Sequence, residues 1–243
     1  MSTGYQSQFL RLARQFFDTQ KAHVLKQLPP LAGKSVQRKL DPLFNLDGEI
    51  KRLALLFRPV YHDHVTEAAR EAMLLVGVTG FDANDPRVTK FIQNRPNKIS
   101  KSVNDETDKQ LRAALSQGIS AGEGLDELTA RVEQVYGSAA GYRAERIART
   151  ETIRANNFAA QEGWHQSGVV AAKEWFTAKD ERVCEFCGPM DGVVVTLSGE
   201  FFKKGDVMDG NNGGSLKMDF ESIQGPPLHV SCRCTMLPVL AED

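Results

Sequence analysis

The sequence predicts an α+β protein: a mostly helical N-terminal part, then one further helix leading into a small β, loop-rich C-terminal module. Three observations predict it. Apolar residues recur at helical spacing through most of residues 9–135. Alternation and β-branched content rise only later, in "VVAAKEWFTA", "GVVVTL" and "CTMLPVL", each short enough to be a strand. All four cysteines fall in two short stretches, "ERVCEFCGPMDG" and "PPLHVSCRCTML".

Taken in order, "FLRLARQFFDTQKAHVLKQL" places Phe9, Leu12, Phe16, Val24 and Leu28 on one stripe before "PPLAG" interrupts it. Asp47 is suited to cap a longer helix whose inner side carries Ile50, Leu53, Phe57, Tyr61, His64, Ala68, Met73 and Val76. Pro59 is expected to kink or divide it. His62 and His64 stand two apart, which on a helix points them in different directions, so one core and one surface histidine are expected rather than a metal pair. "FDANDPRVTKFIQNRPNK" reads as a short helix starting at Pro86 and stopping before Pro96.

A second block starts near Ser102, with Leu111, Ala114, Leu115 and Ile119 on one face. Leu125, Leu128, Val132 and Val135 follow at helical spacing, with Gly137 at the expected stop. "YRAERIARTETIRANNFAAQEGWHQSG" is a long helix whose best-spaced residues are small or charged. Between the last two strands, "KKGDVMDGNNGGSLKMDFESIQGPP" is rich in Gly, Asn and Asp, so an irregular surface loop is expected. Asp206, Asp209 and Asn211 lack the spacing of a calcium loop.

The chain has 243 residues and a formal net charge of -1, with 41% hydrophobic and 25% charged residues, an ordinary globular composition. No window approaches the ~20 uncharged apolar residues of a membrane span, and "MSTGYQSQFLRLARQF" lacks the apolar core of a secretion signal. The expectation is therefore a reducing cytoplasm, where thiols persist and clustered cysteines mean metal more often than disulfide. Charge is uneven: residues 1–40 hold Arg11, Arg14, Lys21, Lys26, Lys34, Arg38 and Lys39 against Asp18 alone. Such an arm suits an anionic partner such as double-stranded DNA, and a solvated helix face explains it equally.

Zinc takes four tetrahedral ligands, and two thiolates separated by two residues can reach one ion from a tight turn. Cys184 and Cys187 meet that requirement, with Gly188 and Pro189 to hold the turn. "HVSCRC" offers His229, Cys232 and Cys234, one donor more than a tetrahedral site uses. If the chain is extended there, Cys232 and Cys234 face one side, giving a four-cysteine site with His229 outside it. If the chain turns after His229, then His229 and Cys232 close the site and Cys234 is a packed thiol. Four strong protein ligands leave no open position for water, so the metal is expected to be structural.

The ordered set "ARTE", "WFTAKD", Cys-x-x-Cys, Asp-Gly and "HVSCRC" resembles the phage Mu F-type minor head protein, or head morphogenesis, family, from about Leu111 to Val239. The resemblance implies a minor capsid component of a tailed bacteriophage, inside the head near the portal, assisting procapsid assembly and DNA packaging or ejection. Its implied partners are the portal protein and the major capsid protein or scaffold; no membrane contact is expected, and since no Ser-His-Asp set or paired catalytic carboxylates emerge, no catalysis is expected either. It maps onto Arg149, Thr150, Glu151, Trp175, Asp180, Cys184, Cys187, Asp191, Gly192, His229, Cys232, Arg233 and Cys234. Arg149 is a candidate to bridge its helix to Asp180 or Asp191, and Trp175 to anchor the core beside the metal. The division implied is residues 1–100, helical, for docking or DNA contact, and residues 101–243, the module. With the match ending close to Asp243, no added toxin domain is expected. A zinc-stapled nuclease, with His165 activating water, and a zinc-ribbon nucleic-acid regulator are the rival readings. The acidic surroundings of the cysteines count against the regulator.

Overall fold

A computed structural model describes residues 3–28 and 43–241. Helices α1 (Thr3–Gln27), α2 (Leu46–Leu75), α3 (Pro86–Ser120), α4 (Leu125–Ser138) and α5 (Ala144–Ser167) precede strands β1 (Val170–Phe176), β2 (Val194–Thr196), β3 (Val207–Asp209), β4 (Ser215–Lys217) and β5 (Thr235–Leu240). The protein is α+β, as its residue pattern predicts. The interruption expected at "PPLAG" lies outside the described residues.

The helices follow their apolar stripes even across proline. α2 is not divided at Pro59, and α3 runs straight through Pro96. A mid-helix proline costs about 3 kcal/mol, so something must offset it. In α3, Val88, Ile92, Pro96 and Ser100 are all buried at a four-residue repeat, so the stripe keeps its phase and packing outweighs the lost amide. The stop expected before Pro96 is thus absent, and residue 100 lies inside α3. α4 ends at Ser138, one residue past Gly137, and passes through a π turn at Ala139–Arg143, kinked at Gly141, into α5.

Two compact units form. One comprises Thr3–Tyr61 and Lys90–Ala148. Its core sets Phe9 edge-on against Phe57 and Tyr61, with ring centroids 5.2 and 4.9 Å apart. Arg143 lies over Phe17 and donates to Val103 O and Thr107 Oγ1, so its charge is packed and hydrogen-bonded. The other unit comprises His62–Thr89 and residues 149–241. There, His64 is buried and His62 exposed, as their spacing predicts. Burial lowers the His64 pKa to about 4, with Glu67 and Asn156 acting in the opposite direction. Within this unit α5 packs on α2 at Gly163, where a Cβ would stand 2.6 Å from Ala69 O. Only glycine permits that approach.

β1 is the centre of an antiparallel sheet in the order β2-β1-β5. Trp175 opposes Met236, and Lys173 opposes Val195 on one side and Pro238 on the other. The segment expected to be an irregular loop instead contains the hairpin β3-β4. Its Asp-Gly-Asn-Asn-Gly-Gly stretch is turn chemistry, not absence of structure.

Candidate metal centre

Two short loops bring the donors together. In the first, Cys187 N–H donates to Cys184 O at 3.2 Å and faces Cys184 Sγ at 3.4 Å, forming the tight turn that the Cys-x-x-Cys spacing predicts. Gly188 N–H also reaches Cys184 O. In the second, the chain reverses after His229, with Ser231 in the left-handed region at φ 63°. Its N–H donates to Thr150 Oγ1 at 3.0 Å, so a residue of α5 holds the turn. α5 also braces the chain further on, since Asn157 donates to Cys234 O and accepts from Thr235 Oγ1. The buried small and polar residues of α5 thereby have a use: they position the donor loop.

The turn decides between the two chain paths that the sequence leaves open. His229 is not outside the cluster. Its Nε2 lies 3.0 Å from Cys184 Sγ and 3.2 Å from Cys187 Sγ, while Cys187 Sγ lies 3.6 Å from Cys232 Sγ. Two groups of three donors result, Cys184–Cys187–His229 and Cys187–Cys232–Cys234, sharing Cys187. A small cavity of about 30 Å³, partly open, is lined by all five donors together with Ala178, Ser231 and Arg233. No disulfide links the cysteines.

The thiols are too close to be independent. Hydrogen bonding to Cys232 and then Cys234, reinforced by burial, pushes the Cys187 thiol far up. Hydrogen bonds from Cys187 and Cys234 push Cys232 well down. Thiols this close oppose one another's ionisation, and a bound cation would remove that opposition. The donor types and their close spacing fit a bound metal ion.

Around the donors, Asp180 forms the bidentate pair that ties the two loops, but with Arg233, not Arg149: Arg233 Nη1 is 2.7 Å from Asp180 Oδ2. That guanidinium holds the Asp180 carboxyl far below the usual range. Asp191 accepts from Thr177 N–H and Oγ1, both at 3.0 Å, and pairs with Lys179 at 3.2 Å. Arg149 is exposed, so the bridge expected from it to Asp180 or Asp191 is replaced by these nearer partners. Glu151 is buried, and Trp175 is fully buried in one cluster with Cys187, Cys232 and Cys234, a core anchor beside the candidate donors.

The family model described as "Phage Mu protein F like protein" matches residues 109–237. The chain belongs to that family. No curated protein and no solved structure matches it. In this phage Mu F-like chain the match takes in all five donors, together with Thr150, Trp175, Asp180, Asp191 and Arg233.

Glu185, inside the Cys-x-x-Cys loop, was not singled out by sequence reasoning. Its carboxylate accepts from Asn212 N–H at 3.0 Å and Gly214 N–H at 3.3 Å, and a Cβ on Gly210 or Gly214 would collide with it. The donor loop thus holds the β3-β4 turn. Glu185→Ala is expected to raise amide exchange across residues 207–217 about tenfold, with metal content unchanged. Hydrogen-exchange mass spectrometry of the two proteins checks this.

Of the basic N-terminal residues, Arg11 and Lys26 are exposed and Lys21 is half-buried. Arg14 donates to Ala140 O and Glu145 Oε1, both at 3.1 Å, so it serves the fold. Lys34, Arg38 and Lys39 lie outside the described residues. No helix among the described residues is long and apolar enough to cross a membrane.

Proposed function

We propose that this phage Mu F-like protein is a minor, non-catalytic component of a bacteriophage head, built in near the portal, where it assists procapsid assembly and DNA packaging or ejection. The observation that carries the reading is the family match over residues 109–237, which spans every donor of the metal centre. The metal is zinc, because clustered thiolate and imidazole donors suit that ion. Its task is structural: it joins two loops whose own apolar core is small. The partners are the portal protein and the major capsid protein or scaffold. Exposed Arg11 and Lys26 of α1 offer charge for contact with packaged DNA.

The protein should co-sediment with portal and shell proteins in procapsids, at far fewer copies than the shell. Deleting its gene should yield malformed heads, or particles that package DNA yet infect poorly. Mass spectrometry of purified particles and plaque assays read both outcomes. Its absence from every particle, or metal-dependent DNA cleavage abolished by His165→Ala, would replace this reading with the nuclease.

A further inference from the structure

We infer that the ion is held by Cys184, Cys187, His229 and Cys232, and that Cys234 remains a thiol outside the ligand set. The inference rests on the reading of a metal-stapled module and selects four donors from the five the sequence offers.

His229 is oriented as a ligand. Its Nδ1 lies 2.9 Å from Val230 O. A carbonyl oxygen only accepts, so Nδ1 carries the proton and Nε2 carries the lone pair. That lone pair is directed at the sulfurs of Cys184 and Cys187, at 3.0 and 3.2 Å. A backbone carbonyl that fixes the far nitrogen is the usual outer support of a zinc-bound imidazole. In a four-cysteine site this ring would instead press an unshared lone pair against two thiolates, which is repulsive.

The fourth position is decided by which cysteine is able to close on the ion. Ligands at ~2.0–2.3 Å in a tetrahedron stand about 3.3–3.8 Å from one another. Cys232 Sγ is at such a distance from Cys187 Sγ, 3.6 Å. Among the described residues no four donors lie mutually within 4.8 Å, so one cysteine must move inward. Cys232 directly follows the Ser231 turn, where a small rotation swings its sulfur toward the ion. Cys234 is tied to its neighbours by its backbone: Asn157 bonds its carbonyl, and Thr235 after it begins β5. Moving Cys234 inward would pull on the sheet.

X-ray absorption of the intact zinc-loaded protein counts ligands without any variant. Three sulfurs at ~2.3 Å and one nitrogen at ~2.0–2.1 Å are expected; four sulfurs overturn the assignment. Cobalt(II) titration supplies the second arm. Cys234→Ser should keep one cobalt per chain and the full thiolate-to-cobalt absorption. Cys232→Ser should lose about a third of that absorption, as one of three sulfurs, or at least tenfold in affinity. Loss of the band in Cys234→Ser with an unaltered spectrum in His229→Gln overturns the assignment. A wild-type protein that takes up neither zinc nor cobalt refutes the metal reading itself, an outcome distinct from a wrong ligand set.

Discussion

Removing the metal, by chelation or by Cys187→Ser, is expected to unfold residues 170–240 together while leaving the Phe9–Phe57–Tyr61 core folded. The apolar cluster around Trp175 is built from the site itself: Cys187, Cys232 and Cys234 are three of its eight buried members. Without the ion, sulfurs held close together must either carry repelling charge or take up protons. Structural zinc supplies about 10–16 kcal/mol to small modules, as much as a whole domain's stability of about 5–15 kcal/mol. The helical unit has no share in that contribution, because its core of Phe9, Phe16, Phe17, Phe57 and Tyr61 contains no donor. Hydrogen exchange with and without chelator should show near-complete loss of protection in β1, β2 and β5 and little change in α1 and α4. Unchanged protection of the strands would mean that the metal is not a staple.

The second large effect concerns Lys173, which is fully buried at the centre of the sheet. Among the described residues its Nζ has no hydrogen-bond partner, and it lies 5.8 Å from the centre of the Phe201 ring. Burial lowers its pKa from 10.5 to about 8, against the opposing pull of Glu162 and Glu200. Glu162 is itself occupied by Arg87, 3.1 Å away. Between pH 8 and 10.5 the unfolded chain keeps a proton that the folded chain has released, so this group makes stability rise with pH across that window. Below pH 8 the full cost of a buried ammonium is present. Lys173→Met should therefore stabilise the protein by about 1–4 kcal/mol at pH 7, the usual gain when a poorly paired buried charge becomes apolar. That gain should shrink as pH approaches 10. Denaturant melts of both proteins from pH 7 to 9.5 measure it; a variant less stable at pH 7 would show that Lys173 is better paired than its geometry indicates.

What the residues reveal unaided depends on how local the controlling interaction is. α5, β1, β5 and the Cys-x-x-Cys turn are set by spacing along the chain, and each is where its pattern places it. Pro96 misleads because the local rule is outweighed by a buried stripe whose continuation is visible only when Val88, Ile92 and Ser100 are read together. The β3-β4 hairpin was hidden because its turn is held by Glu185, more than twenty residues away in sequence. Arg149 was a reasonable partner for Asp180 until the fold supplied Arg233 at bidentate distance. Lys173 is legible in principle, since strand alternation places it on the same face as Trp175, where a charge has no water to meet.

The placement of the donors also bears on how much this region can vary in length. Cys187 and His229 are 42 residues apart, and everything between them, β2 and the hairpin included, is a ring that an ion on these donors would close at its base. The entropic cost of such a ring grows only with the logarithm of its size, so doubling it adds about 0.6 kcal/mol. Members of the family could therefore carry segments of very different length at this place and still close the same module. A metal at the base would let the ring be rewritten while the base stays constant.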